Sequence, residues 1–325
     1  MLAMAGPAHA EKGFGDTDGQ PPPGTGADVD GDTVSVTAGG VVFDRSKNGS
    51  GESTGPLTAA SNWTPPACWY APKYTPEQLQ NYLEPIWEAG STGHEWDAGQ
   101  REKYNANDEE KGFNKDKSGD GYWWGTYVNE SFPPGWDSCY DDDYFWVDTG
   151  DAPPANVENA ITPEILAGLA YAEIRVRGTE VTLRPENASK VNLPTWAWLD
   201  GADFQPVSVT ASVPVLGLEA TATAEPVSLE INPGTGDAIT YPASGVCQIN
   251  NGRIGEPYAK GKADQTPPCG VKYLRSSGDD TFPLQATITW EINWTGTGGA
   301  GGPFPDGTFG ATQDVVVQEI QAVNR

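Results

Sequence analysis

The stretch Ala286-Thr287-Ile288-Thr289-Trp290-Glu291-Ile292-Asn293-Trp294 decides the fold, because apolar and polar residues alternate through it without a break. A period of two residues is typical of a β-strand with one buried face and one exposed face. The same alternation occurs at 207–213 and 220–224, and a further strand-like run covers 315–320. Together these segments predict a mainly β protein with a C-terminal antiparallel β-sandwich over 205–325.

Composition and charge exclude several classes of partner. The 325 residues include 40 Gly and 28 Pro, which favour strands and turns over helical bundles. Asp and Glu number 45 against 19 Lys and Arg, so the formal net charge is −26. Such a chain repels phosphate backbones and anionic lipid, and we expect no nucleic acid partner. No apolar run approaches the roughly 20 residues that span a bilayer, so we expect no membrane span.

The N-terminus has the features of an exported protein. Residues 1–10 end in Ala8-His9-Ala10, the small-x-small pattern that signal peptidase cleaves, and we interpret them as the remnant of a signal peptide. The expected location is secreted or extracellular, with association at the cell surface as a further option. Residues 11–60 form a low-complexity, mostly disordered leader in this interpretation, with short strands at 34–37 and 41–43 and a loop at 46–60.

The four cysteines fall into two well-separated pairs. Exported proteins meet an oxidising environment in which such pairs close. Three connectivities are possible for four cysteines, and pairing within each part of the chain closes the shorter loops. We therefore predict disulfide bonds between Cys68 and Cys139 and between Cys247 and Cys269.

Residues 61–155 predict a loop-rich, acidic and aromatic α+β domain that contains the first disulfide. Thr75-Pro76-Glu77-Gln78 indicates a helix start with a capping box, and Pro85 is expected to kink or end that helix. The many aromatic residues beyond His94 form either the core of this domain or an open binding platform. The platform hypothesis rests on Tyr122, Trp123, Trp124 and Trp136. A second helix begins at Thr162-Pro163-Glu164, in a segment over 156–204 that bridges the two halves.

Oxygen-bearing side chains alternate at Asn114, Asp116, Ser118 and Asp120, with Gly121 after them. This spacing is typical of a loop that wraps a hard cation, and it predicts a calcium site. A simple Asp/Gly turn is the alternative, and the acidic run at 141–143 is a second position for the metal.

Catalysis has little support in the sequence. His94 is the one histidine after the expected cleavage site, no Gly-x-Ser-x-Gly motif is present, and both cysteine pairs are assigned to disulfides. Glycoside hydrolysis would need two acids across a sugar, and the acidic, Trp-rich region could supply them. The balance favours a protein without catalytic residues.

Several segments resemble a family of secreted proteins from Streptomyces and related actinobacteria. The segments are ITPEILAGLAYAEIRV (161–176), VNLPTWAWLD (191–200), CGVKYLRSSGDDTFPLQATITWEINWTG (269–296), QEIQAVN (318–324), WTPPACWYAPKYTPEQL (63–79) and FNKDKSGDGYWWG (113–125). The stretches 231–237 and 271–273 are also similar to polycystic-kidney-disease-type, Ig-like sandwich modules. That resemblance implies a spacer or adhesion unit.

These observations lead to one expected function and one alternative. The first is a secreted or cell-surface binding or scaffold protein, without enzymatic activity, that contacts an extracellular protein assembly or a wall polymer. The alternative is a carbohydrate-binding or carbohydrate-active protein that uses the Trp- and acid-rich N-terminal domain.

Overall fold

The chain is mainly β, as the alternation predicts. A computed structural model describes residues 27–30, 33–38, 40–50, 54–90, 92–129, 139, 143–178, 180–186, 188–262 and 264–320, with backbone alone at 27–38 and 203. Contacts between residues divide the chain into two units. The helical unit contains 73–124 and 144–151, and the sheet unit contains 24–72, 125–143 and 152–325.

The described helices and strands have the following bounds. The α-helices are α1 (Pro76–Ala89), α2 (His94–Lys103) and α3 (Pro163–Glu173), and a 3-10 helix covers Gly112–Lys117. The strands are β1 (Ala27–Asp30), β2 (Thr33–Ala38), β3 (Val41–Asp44), β4 (Thr54–Pro56), β5 (Thr58–Ala59), β6 (Cys68–Tyr74), β7 (Gly121–Val128), β8 (Phe145–Asp148), β9 (Arg175–Arg177), β10 (Thr182–Arg184), β11 (Ser189–Lys190), β12 (Thr195–Leu199), β13 (Val207–Val213), β14 (Leu218–Asn232), β15 (Ala238–Tyr241), β16 (Val246–Asn250), β17 (Arg253–Gly255), β18 (Gly270–Tyr273), β19 (Phe282–Gly296), β20 (Gly301–Val315) and β21 (Val317–Gln318).

Three strands of 15 residues each, β14, β19 and β20, organise the sheet unit. Strand β19 pairs antiparallel with β14 on one side and with β20 on the other. They belong to a 14-stranded sheet, in which ten strands follow the order β1-β2-β3-β13-β14-β16-β17-β12-β18-β15. Of the other four strands, β10 pairs with β12, β19 pairs with β14 and β20, and β5 pairs with β20. The stretch 286–294 lies entirely within β19, with alternate residues buried through Ile292.

Helix α3 packs on the sheet through small side chains. It contacts β13, β14 and β19, and the sheet residues Ala211, Ala220, Ala222 and Ala224 are at most 1% exposed. A Cβ added at Gly296 of β19 would lie 2.9 Å from Cβ of Pro163 at the start of the helix. The alanine face therefore lets the helix approach the sheet closely. Residues 166–171 are all buried, as expected for a helix that is apolar on every side.

The helical unit has an aromatic core. Helix α1 begins at Thr75 with the expected capping box to Gln78. It continues through Pro85 to Ala89, beyond the expected kink or end, and buries Leu79, Leu83 and Trp87. These residues pack with others of the unit, namely Tyr74, Tyr104, Phe113 and Trp123. The burial of Trp87 explains why the last turn persists despite the hydrogen bond that proline cannot donate.

Helix α2 lies in the region for which the sequence shows no regular period. Its buried residue is Asp97, so no apolar stripe marks it in the sequence. In the leader, strand β3 pairs with β13 and buries Val41 and Phe43. Strands β4 and β5 occupy part of the segment expected to be loop.

Candidate functional site

Both expected cysteine pairs are disulfide-bonded, Cys68 with Cys139 and Cys247 with Cys269. All four residues belong to the sheet unit. The first bond joins the start of β6 to residue 139, and the second joins β16 to the residue before β18. They crosslink this unit, and no described cysteine has a free thiol.

The expected calcium ligands lie on a turn of the helical unit. Asn114 and Asp116 belong to the 3-10 helix, Ser118 follows it, and Asp120 precedes β7. The side chains of Asp116, Ser118 and Asp120 are exposed. The turn is held by backbone hydrogen bonds, including one of 2.7 Å from the Thr149 N–H to the Asp120 carbonyl. Within the described ranges, no three His, Cys, Asp or Glu side chains cluster in an arrangement that could hold a metal, and calcium binding stays a prediction.

The expected aromatic platform is divided between core, surface and undescribed residues. Trp123 and Trp124 are buried, with 7% and 2% exposure. Tyr122 is half-buried. Trp136 lies outside the described residues, as do Asp141 and Asp142. Trp123 packs edge-on against Tyr104 with ring centroids 5.3 Å apart. The two tryptophans therefore contribute to packing within the helical unit, which was the other interpretation of this aromatic region.

A row of half-buried aromatic rings lies in the sheet unit, formed by Trp63, Phe304 and Trp294. The Trp63 and Phe304 centroids are 5.5 Å apart, and those of Phe304 and Trp294 are 6.0 Å apart. Behind them, the buried Tyr171 stacks on Trp63 at 4.5 Å. We refer to Trp63, Phe304 and Trp294 as the aromatic row.

The sheet register places two rings of the row side by side. Trp294 lies opposite Gly302, and Phe304 lies opposite Ile292. Residues two apart on a strand share a face, so Trp294 and Phe304 are diagonal neighbours on the same face of the sheet. A Cβ at Gly302 would lie 3.7 Å from Nε1 of Trp294, which shows that the indole covers this glycine.

Helix α3 fixes the position of the row from behind. The Tyr171 hydroxyl donates a hydrogen bond of 3.2 Å to the carbonyl oxygen of Pro305, next to Phe304. Burial, and then the charge of Asp306, raise the pKa of Tyr171 to about 12. The hydroxyl therefore stays protonated, and remains a donor, throughout the physiological range.

A cleft of about 310 Å³ adjoins the row between Trp63 and Phe304. Its other lining residues are Thr64, Pro66, Ala67, Cys68, Asn159, Glu164, Ile165 and Gly168. Glu164 is exposed in the first turn of α3 and offers carboxylate oxygens, and Thr64 offers a hydroxyl. Aromatic faces beside a few polar groups form the kind of site that binds neutral polar molecules with apolar faces, such as sugars.

Sequence reasoning did not single out the aromatic row. In the sequence, Trp294 falls on the apolar side of its alternating strand, and Trp63 is the first residue of the segment 63–79, with no periodic pattern around it. One sequence signal is available in retrospect: the residues around Trp294 change to Thr and Gly, which cannot cover an indole. The distances among Trp63, Tyr171 and Phe304 depend on tertiary packing, which the local pattern does not encode.

Comparison of the chain with protein-family models, curated proteins and solved structures gives no match. No helix in the described part of the chain combines the length and the apolar character needed to cross a membrane.

Proposed function

We propose that this protein is a secreted or cell-surface binding protein, without enzymatic activity, that contacts a neutral wall polymer through the aromatic row. In this proposal the C-terminal strands form an Ig/PKD-like sandwich that serves as the scaffold. The proposal also places the chain among the secreted actinobacterial proteins that it resembles. Its two disulfides suit the oxidising conditions outside the cytoplasm.

The observation that carries the proposal is that three neighbouring rings of the sheet unit are partly exposed. Adjacent, partly exposed aromatic rings offer a continuous apolar surface, and such surfaces mark sites of interaction. Sugar rings have apolar C–H faces and hydroxyl edges. The row supports contact with the faces, and Glu164 and Thr64 beside it support hydrogen bonds to the edges.

The acidic character of the chain favours a neutral polymer over an anionic one. With a net charge of −26, the protein repels polyanions at long range. Glu164 next to the row adds a local negative charge. A neutral glycan pays no electrostatic cost in approaching this site, and its hydroxyls can donate to the carboxylate.

Co-sedimentation with insoluble cell-wall material and with neutral polysaccharides tests the proposal. We expect the wild-type protein to sediment with at least one of these polymers, and the Trp63→Ala plus Trp294→Ala variant to remain in the supernatant. The matched control is Trp96→Ala, which removes a tryptophan that is 43% exposed in the helical unit. Equal sedimentation of all three proteins would contradict the role of the row.

The alternative, a carbohydrate-active protein, makes a different prediction in the same assay. Hydrolysis requires a second acid at a defined distance from the first, and it releases new reducing ends. Release of reducing ends that depends on acids of the Trp- and acid-rich N-terminal domain (61–155) would favour this alternative. Binding without release would favour the proposal.

A further inference from the structure

A second cavity in the sheet unit, of about 500 Å³, shares no described lining residue with the cleft beside the aromatic row. It is formed by the loop after β3, the end of β9, the segment that leads into β13, and the neighbouring strands β14 and β19. The lining residues on which the argument depends are Lys47, Arg177, Phe204, Pro206, Val207 and Trp290. We refer to it as the cationic cavity.

Lys47 and Arg177 are the charged side chains among these described lining residues. Neither forms an ion pair within the part of the chain that the structure describes. Nη2 of Arg177 donates a hydrogen bond of 3.2 Å to the carbonyl oxygen of Ser50, which holds the guanidinium near the cavity wall. Two cations at one cavity are unusual in a protein with a net charge of −26, and they attract an anionic group.

Two described acids near this loop are already engaged. The carboxylate of Glu173 accepts hydrogen bonds from Nε and Nη2 of Arg45, at 3.1 and 2.8 Å. The Asp44 carboxylate accepts a hydrogen bond of 2.8 Å from the Ser46 N–H, and this contact is the main reason why its pKa is lowered. The positive charge of Lys47 also lowers the pKa of Asp44, so Lys47 already interacts electrostatically with one carboxylate. Among the described residues, no carboxylate contacts the guanidinium of Arg177.

Trp290 contributes an indole ring to the wall of the cavity. It lines the cavity and is 2% exposed, and its indole Nε1–H has no acceptor among the described residues. The buried indoles of Trp69 and Trp87 also have no acceptor among the described residues, so this feature alone does not mark a site. The Nε1 atom of Trp290 itself has almost no accessible surface, so Trp290 contributes apolar ring atoms to the cavity wall.

The remaining wall is partly apolar. Phe204 is buried, and Pro206 and Val207 lie next to it. A cavity of a few hundred cubic ångströms with apolar walls and a few convergent polar groups is typical of sites for small organic molecules. A bare inorganic ion would leave the apolar part of the wall unfilled.

We propose that the cationic cavity binds a small organic acid, in which one carboxylate or phosphate group is joined to an apolar body. Lys47 and Arg177 hold the acid group, and the body packs against Phe204 and Trp290.

NMR titration of the ¹⁵N-labelled protein in the indole N–H region tests this site. The probes are benzoate, phenyl phosphate, the uncharged analogue benzamide, and inorganic phosphate. The Trp290→Phe variant assigns the Trp290 resonance by its disappearance. We expect benzoate or phenyl phosphate to shift that resonance, with a dissociation constant at least tenfold lower than that of benzamide. Comparison of the first two probes shows whether carboxylate or phosphate is preferred.

Charge-neutralising variants provide the control. Lys47→Gln and Arg177→Gln are each expected to weaken binding of the anionic probe by roughly tenfold, since each removes one charge-assisted contact. Lys260→Gln has the same change of charge at an exposed position of the same unit and should bind as the wild type does. Both cavity side chains are exposed, so the variants should fold.

Several outcomes would overturn the proposal. They are equal affinity for benzoate and benzamide, equal affinity for phenyl phosphate and inorganic phosphate, and a loss of affinity in Lys260→Gln equal to that in the cavity variants. Shifts confined to other indoles would also overturn it, as would the absence of binding stronger than about 10 mM for both organic anions.

Discussion

The indole Nε1–H of Trp123 donates a hydrogen bond of 2.7 Å to the backbone carbonyl of Phe113, whose φ angle is +62°. A bulky residue in the left-handed region is strained and persists where surrounding contacts hold it. Here the Phe113 ring is also fully buried, stacked on Trp87 with centroids 5.9 Å apart and on Tyr104 with centroids 6.1 Å apart. The hydrogen bond and the stacked rings together stabilise this backbone conformation.

Replacing Trp123 by Phe should therefore destabilise the helical unit while keeping an aromatic ring. The Phe113 carbonyl would lose its buried donor, and we expect the free energy of unfolding to fall by about 1–3 kcal/mol. Urea denaturation followed by circular dichroism measures this change. Trp96→Phe alters an exposed indole and should change stability by less than about 0.5 kcal/mol. A similar small effect for both variants would show that the hydrogen bond is unimportant.

Enlarging the alanine face under α3 should be costly. Ala222 is fully buried, and α3 packs on its strand, so Ala222→Leu would push the helix away from the sheet. We expect a loss of about 1–3 kcal/mol, the usual cost of overpacking. Thr221→Leu introduces the same side chain on the opposite face, where the residue is half-buried, and is the matched control. A thermal unfolding curve unchanged by Ala222→Leu would contradict the close packing.

Each ring of the aromatic row should contribute separately to polymer affinity. Trp63→Ala or Trp294→Ala is expected to weaken binding by roughly tenfold, or about 1.4 kcal/mol. Affinity electrophoresis in gels that contain the polymer gives the dissociation constants. Trp96→Ala should migrate as the wild type does. Retention of full affinity by both row variants would place the binding surface elsewhere.

Alkaline pH should destabilise the protein through its buried tyrosines. The folded-state pKa of Tyr171 is about 12, above the unfolded value of about 10, so folding favours the neutral hydroxyl. This contribution to stability is complete below pH about 10 and is lost as the pH rises towards 12. Burial raises the pKa of Tyr74, Tyr144 and Tyr273 in the same direction.

Urea midpoints between pH 9 and 12 measure this alkaline effect. The wild type should lose more stability over that interval than the Tyr171→Phe variant, which has no hydroxyl to ionise at the aromatic row. Parallel loss in both proteins would mean that Tyr171 ionises without cost in the folded state.

Calcium should stabilise the protein if Asp116, Ser118 and Asp120 are ligands. A ligand that binds the folded state alone adds about 2.7 kcal/mol at a hundredfold excess over its dissociation constant. The melting temperature in millimolar calcium and in EDTA measures this, with Asp116→Ala plus Asp120→Ala as the variant that lacks the site. No shift in the wild type would leave the segment as a polar turn. A shift that survives in the variant would move the site, with 141–143 as the next position to test.

The sequence predicts those features that depend on a local period or a local cap. The alternation at 286–294 predicts strand β19, and the Thr-Pro-Glu motifs predict where α1 and α3 begin, because a strand face and a helix cap each involve residues close in the chain. Helix α2 was missed because it buries Asp97 and has no apolar stripe.

The candidate sites cannot be predicted from local patterns, because they consist of residues that are far apart in the sequence. Trp63, Tyr171 and Phe304 come from three separate segments, and neither spacing nor composition shows that their rings meet. The density of aromatic residues around Trp123 was compatible with a core and with a platform. Burial distinguishes the two, and burial depends on the tertiary structure.

The pairing of β5 with β20 sets a constraint on the order in which the protein can be assembled. The hydroxyl of Thr308 donates a hydrogen bond of 3.3 Å to the carbonyl oxygen of Thr58, across 250 positions of chain. During synthesis, β3 therefore cannot pair with β13, and β5 cannot pair with β20, until the strands after the helical unit have been made. The local contacts of the helical unit can form first, so the sheet unit should fold late and depend on its C-terminal strands to do so.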